Sequence, residues 1–357
     1  MAPKLLLTGV TGYIGGDAFY ALHKAHPELE YTLLVRSAER AKLVREQYPE
    51  TASIKIVYPG GSSSDGSSLN DLLEDEASKA DIIVHTAESA DDVPSANAIV
   101  KGLKRGAANR STENPAFWIH LCGTGLLQWY DSSHKRYGQP PLPSDKYDDV
   151  ADIDKITSLP DEAHHRNVDK IVLAVTAELG GKAKTAIVSP ATIYGTGRGP
   201  VNRKSMQVPD LARFTLQQGY APVVGTGKVE WDNVHIFDVS ALFVALVDAA
   251  LDPARSADPE VFGPHGYFFA TNATHVWGEV AAEVVAEAVR QGYLKEAVEK
   301  TVTFDEIPHK TLATNSKGIA TRARKYLGWE PKGSSLSENI AKIVDVEAKH
   351  LGLKKVP

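Results

Sequence analysis

The chain has 357 residues, 43% hydrophobic and 24% charged, with a formal net charge of -6. That length supports a core that needs no disulfide or metal staple, and the single cysteine, Cys122, excludes an intramolecular disulfide framework and fits a reducing compartment. The acidic balance, the lack of a basic block and the lack of a long apolar run argue against nucleic-acid binding and membrane insertion.

From the start of the chain, short apolar runs alternate with amphipathic patterns. The strand candidates are "KLLLTG", "YTLLVR", "SIKIVYP", "DIIVHTA", "FWIHLCG" and "TAIVSPATIYG". Between them lie helical stretches such as "GGDAFYALHKAHPEL" and "ANAIVKGLKRGAANR". Continuous apolar strands separated by helices predict an α/β fold with a doubly wound parallel sheet of Rossmann type. The Gly/Ser-rich "YPGGSSSDGSSLND" reads as a surface loop between the third strand and its helix. "YDSSHKRYGQPPLPSDKYDDVADIDKITSLPDEAHH" reads as a second irregular stretch, and it follows a strand end, where open α/β sheets bind ligands. Residues 1–196 are expected to form the dinucleotide-binding domain, with 225–262 returning to it. Residues 197–224 and 263–357 are expected to form a smaller, mostly helical substrate lobe.

The first strand-to-helix turn is "TGVTGYIGG". Gly9 suits a tight turn, Gly12 a close approach to pyrophosphate, and Gly15 close packing of helix on strand. Backbone N–H groups from Thr11 through Tyr13 and Ile14 would then face the phosphates. The second strand ends "LLVRSAER", with Arg36, Ser37 and Arg40 where a carboxylate would bind the ribose of NAD. A guanidinium suits a 2′-phosphate, so the expected cofactor is NADP (NADPH) rather than NAD.

These motifs resemble the extended short-chain dehydrogenase/reductase superfamily, the branch that contains nucleotide-sugar epimerases and dihydroflavonol reductases. "TGVTGYIGG" is similar to its glycine pattern. "ADIIVHTAE" is similar to its fourth strand, which implies Thr86 and Ala87 beside the cofactor. "SPATIYGTGRGP" resembles its sixth-strand segment, which implies Pro190 and Ile193 at the cofactor and Tyr194 at the substrate. "WDNVHIFDVSALFVALV" and "YLGWEPKGSSLSENI" resemble two further family segments.

The family uses a Tyr four residues before a Lys on one helix, with a Ser or Thr after the fifth strand. In "HHRNVDKIVLAV" the resemblance places Lys170 at the Lys position, holding the cofactor ribose, and Arg166 at the Tyr position. Thr124 is the nearest hydroxyl to the Ser position. Arginine stays protonated and cannot serve as a base near neutrality, although it can stabilise an oxyanion. His165, next to Arg166, and His235 in "NVHIFD" offer imidazoles that titrate in the useful range. Trp129, Tyr130 and Tyr137 in the long stretch are candidate aromatic walls for a substrate. No His/Cys/Asp set stands at metal-ligand spacing in the sequence, so no metal is expected.

The leading expectation is an NADP(H)-dependent reductase with an altered proton-transfer apparatus acting on a carbonyl-like small molecule in the cytoplasm. The alternatives are a non-enzymatic NADP(H)-sensing regulator, resembling NmrA-like proteins, and an epimerase- or dehydratase-like enzyme with tightly bound cofactor. The expected partner is the small-molecule substrate, with neither nucleic acid nor membrane involved. The resemblance allows a homodimer.

Overall fold

A computed structural model describes residues 2–61 and 67–356. Its centre is a seven-stranded sheet of β1 (Lys4–Thr8), β2 (Glu30–Leu34), β3 (Ile54–Val57), β4 (Ile82–His85), β5 (Ala116–Leu121), β6 (Ala183–Pro190) and β7 (Tyr267–Ala270). The spatial order is β7-β6-β5-β4-β1-β2-β3 and every pairing is parallel. The order reverses direction between β1 and β4, which opens a crevice at the carboxyl ends of those two strands.

The strands explain the arrangement. Leu5, Leu6 and Leu7 are successive in β1 and all buried, so both faces of the sheet must be covered. The helices that do so are α1 (Tyr13–Ala25), α2 (Ala38–Gln47), α3 (Leu69–Ala77), α4 (Val93–Gly106), α5 (Arg166–Glu178) and α6 (Ile236–Leu251). α1 packs against α6, while α4 packs against both α3 and α5. Part of "YPGGSSSDGSSLND", residues 62–66, lies outside the described residues.

A second core gathers Leu211, Val229, Trp231, Trp277, Val284 and Ile340. Its helices span Gln207–Gln218, Trp277–Arg290 and Leu336–His350, beside a small sheet of Thr192–Tyr194, Glu230–His235 and Ala273–Val276. The lobe boundaries differ from those expected of the sequence. β7 lies inside 263–357 yet completes the central sheet, and Ala320, Ala323 and Trp329 join the central core. The four residues of β7, "YFFA", are all buried, and only the doubly covered sheet can bury both faces of such a strand. In the other direction, Trp231 of 225–262 belongs to the smaller core.

The stretch read as irregular is ordered by its own short elements. Residues Trp129–His134 and Ile153–Thr157 are helical, and Lys146–Asp148 pairs in parallel with Lys317–Ile319. Asp131 anchors it by accepting hydrogen bonds from the Asn315 backbone and side-chain amides and from Arg136.

Asp17 ties the two halves of the sequence together. It is fully buried in α1, accepts two hydrogen bonds from the Arg198 guanidinium at 2.9 and 2.6 Å, and accepts the Ser240 hydroxyl of α6 at 2.6 Å. Asp17→Ala should lower the unfolding free energy by about 3 kcal/mol in urea titrations. The low end of the range for a broken buried pair applies because Arg198 remains one-third exposed and can hydrate.

Candidate active site

The crevice begins at the first glycine-rich turn. Gly9 has φ +80°, and a Cβ there would stand 2.8 Å from the Ala87 nitrogen. A Cβ on Gly15 would overlap both Thr86 Oγ1 and the Gly9 carbonyl. Thr8 holds this junction fixed. Its hydroxyl accepts the Thr86 and Ala87 N–H groups at 3.1 and 3.2 Å, and its carbonyl accepts the Thr86 hydroxyl at 2.6 Å. Gly12 caps α1, and among the described residues no side chain accepts the first-turn N–H groups of Tyr13 and Ile14, which suits an anion. The Tyr13 hydroxyl itself donates to the Gly195 carbonyl at 2.7 Å.

A pocket of about 280 Å³ runs from this turn, lined among others by Thr11, Gly12, Arg36, Asn70, Thr86 and Ala87. Arg36 is exposed and has no hydrogen bond or ion pair among the described residues. Ser37 caps α2 by accepting the Arg40 N–H at 3.4 Å. Glu88 also lines the pocket and holds φ +48°, a left-handed conformation that costs a non-glycine residue strain. A bare-backbone turn, uncapped N–H groups and a free guanidinium at the end of β2 together fit a nicotinamide dinucleotide.

The proton-transfer residues are arranged differently from the expectation. Arg166 is buried and faces away from the crevice, donating from Nε to the Leu159 carbonyl at 3.1 Å and from Nη2 to the Thr157 carbonyl. It closes the preceding turn and is not available to an oxyanion. Lys170 is exposed and bonded to both carboxylate oxygens of Asp161 at 2.7 Å, so it does not reach toward the crevice. Besides Arg166 at its start, the buried residues of α5 are Val168, Asp169, Val172 and Val175. The inward pair at the family's four-residue spacing is therefore His165 and Asp169, one residue earlier than expected. Asp169 accepts the Tyr267 hydroxyl at 2.8 Å, and burial raises the Asp169 carboxyl above its ordinary range.

His165 stands beside the loop that follows β4. It precedes α5 with φ +69°, and its Nδ1 lies 2.7 Å from Asp91 Oδ1. An ionised carboxylate only accepts, so the shared proton sits on His165 Nδ1 and leaves Nε2 as a base. The hydrogen bond from His165 holds the Asp91 carboxyl below the usual carboxylate range. Nε2 points at bare backbone after β5. A Cβ on Gly125 would stand 3.2 Å from it and one on Gly123 3.5 Å. Pro190, the last residue of β6, brings its carbonyl beside Gly123. Deeper in, His85 and His120 are fully buried with their Nδ1 atoms 3.3 Å apart, and burial pushes His85 down to about 3, which keeps it neutral.

Other expected site residues fall elsewhere. The Thr124 hydroxyl is buried and has no hydrogen-bond partner among the described residues, and the Thr124 carbonyl accepts the Ser316 hydroxyl at 2.7 Å. Tyr194 is buried in the smaller core and donates to the Ser334 carbonyl at 2.9 Å. His235 is buried against Gly195 and Gly333, with its Nδ1 accepting the Phe237 N–H at 3.2 Å. Both are packing residues of the second lobe. Ile193 joins the central core. Trp129 is half-buried, Tyr130 stacks on His134 at 4.1 Å, and Tyr137 stacks on Phe304 at 3.9 Å. Asp91 and Gln128, whose amide lies near Gly125, were not legible as site residues.

A model of the NAD dependent epimerase/dehydratase family matches residues 5–257. The chain belongs to that family. It is 36% identical to the oxidase ucsJ of an Acremonium species, over 99% of this chain and all of that protein. The fold is also that of the dTDP-glucose 4,6-dehydratase DesIV from Streptomyces venezuelae, solved with NAD bound (TM-score 0.60, 17% identity, 98% of each chain). UDP-glucose 4-epimerase from Thermotoga maritima is similar at a TM-score of 0.59, with 16% identity, 98% of this chain and 99% of that one. The resemblance read from the motifs is thus the right family, and the crevice is that of a nicotinamide-dinucleotide enzyme. Among the described residues no helix is long and apolar enough to cross a membrane.

Proposed function

We propose that the chain is an NADP(H)-dependent oxidoreductase interconverting a carbonyl and a hydroxyl on a small molecule, with His165 moving the oxygen's proton. The observation that carries this reading is the Asp91–His165 pair, at 2.7 Å, with Nε2 aimed at the glycine backbone after β5. The dinucleotide, when bound, supplies or accepts the hydride. In the oxidising direction Nε2 removes the hydroxyl proton, and the ionised Asp91 balances the imidazolium that forms. In the reducing direction the imidazolium returns that proton to the developing alkoxide. Gly123 and Gly125, having no side chains, let the imidazole stand close over their backbone.

The pair also weighs against a purely sensing role, because binding a dinucleotide does not require an oriented base. A panel of ketones, aldehydes, enones and imines with NADPH, and of alcohols with NADP+, tests the reading by absorbance of the reduced nicotinamide. Turnover of at least one class is expected. Tight cofactor binding with no turnover across the panel would count against it.

Arg36 supports NADP over NAD, since its unpaired guanidinium suits a 2′-phosphate. Arg36→Ala should weaken NADPH binding by about 10- to 100-fold, the loss of one charge-assisted contact, while leaving NADH binding nearly unchanged. Fluorescence titration of the two reduced cofactors measures both.

A further inference from the structure

We propose that Asp91, His164 and His165 form a divalent transition-metal site, best suited to zinc, and that a metal bound there switches off proton transfer by His165. The second half rests on the reading of His165 given above.

The three side chains come from the loop after β4 and the turn before α5. One ligand atom from each lies within 4.8 Å of the others. Asp91 Oδ1 is 2.7 Å from His165 Nδ1, and Asp91 Oδ2 is 4.0 Å from His164 Nε2. The left-handed backbone at His165 accompanies two adjacent imidazoles that stand with centroids 3.7 Å apart and face one carboxylate. His164 makes no hydrogen bond among the described residues and is half-exposed, so its ring can turn by the small amount coordination needs. Two imidazole nitrogens and a carboxylate oxygen are a zinc-type donor set, and solvent exposure leaves the remaining position to water.

The chemistry of inhibition follows from the tautomer. His165 carries its single proton on Nδ1, bonded to Asp91. A metal takes Nδ1, so the Nδ1–H bond breaks, an Nδ1–metal bond forms, and the proton passes through solvent to Nε2. The imidazole stays neutral, but Nε2 now donates and cannot accept a substrate proton. The metal also takes the Asp91 oxygen that would have balanced an imidazolium.

Isothermal titration of the full chain with zinc chloride, and visible absorption with cobalt(II), read binding without reference to activity. One site per chain and the d–d bands of a nitrogen–oxygen site are expected, with affinity at least 10-fold weaker in His164→Ala. Measured against its own metal-free turnover, His164→Ala should lose the zinc inhibition that in the wild type is reversed by EDTA. Absence of zinc binding, or affinity unchanged in His164→Ala, overturns the site and leaves the reading of His165 standing. Zinc bound at this site with turnover unaffected overturns the inhibitory half and removes His165 from proton transfer.

Discussion

His165→Asn should lower turnover by roughly 10²–10⁴-fold, the range for removing a positioned general acid–base, while cofactor affinity stays within about twofold. Asparagine is the informative replacement because it tolerates the left-handed backbone that His165 adopts at φ +69°. The substitution removes the base and keeps the turn before α5. The dinucleotide turn at Gly9–Gly15 and the pocket beside Arg36 do not include His165, so binding should survive. Asp91→Asn should also slow turnover, by less if an amide oxygen still accepts the Nδ1 proton. Steady-state kinetics with fluorescence titration of NADPH separate the two effects. Equal loss of turnover and of cofactor binding would mean that His165 shapes the fold of the crevice instead of acting on the substrate.

Gly15→Ala should abolish dinucleotide binding and cost about 1–3 kcal/mol of stability or more, as overpacking does where neighbours cannot move. The added methyl would meet Thr86 Oγ1 and the Gly9 carbonyl. Thr86 cannot yield, since its hydroxyl donates to the Thr8 carbonyl at 2.6 Å and its N–H to the Thr8 hydroxyl. Gly9 cannot yield because its φ of +80° forms the turn itself. Relief therefore requires α1 to move off β1, which displaces the N–H groups of Tyr13 and Ile14 from the pyrophosphate position. Thermal melts and NADPH titration measure the two losses. A stable variant that still binds would show that this turn is structural only.

The fold was legible because its signals are local and repeated. Six apolar runs became β1 to β6 in chain order, and "TGVTGYIGG" became the turn at the crevice. The lobe boundary was less legible, because "YFFA" looks like any short strand until the sheet that covers it is known. At the catalytic helix, the family pattern pointed to Lys170 and Arg166. The apolar residues Val168, Val172 and Val175 already set a different phase, one that turns Asp169 inward and Lys170 outward. Periodicity alone could have corrected the register. Asp91 could not be found that way. It is 74 residues before His165, and the two meet where α4, which follows the Asp91 loop, packs against α5. For the same reason a sequence with no metal-ligand spacing brings Asp91 to His164 and His165.

Two features mark this part of the crevice as more than packing. Glu88, in the loop that carries Asp91, and His165, which bonds Asp91, both hold left-handed backbones. Strain of this kind persists where the surrounding structure enforces it, and it gathers at sites that act on ligands. Here it accompanies an imidazole standing over glycine backbone.

The most direct test is a crystal structure of the chain with NADP+ and a bound alcohol or carbonyl compound. The nicotinamide is expected at the carboxyl ends of β5 and β6, with His165 Nε2 within about 3 Å of the substrate oxygen and Asp91 still bonded to Nδ1. A nicotinamide turned away from His165, with Nε2 bonded only to solvent, would contradict it.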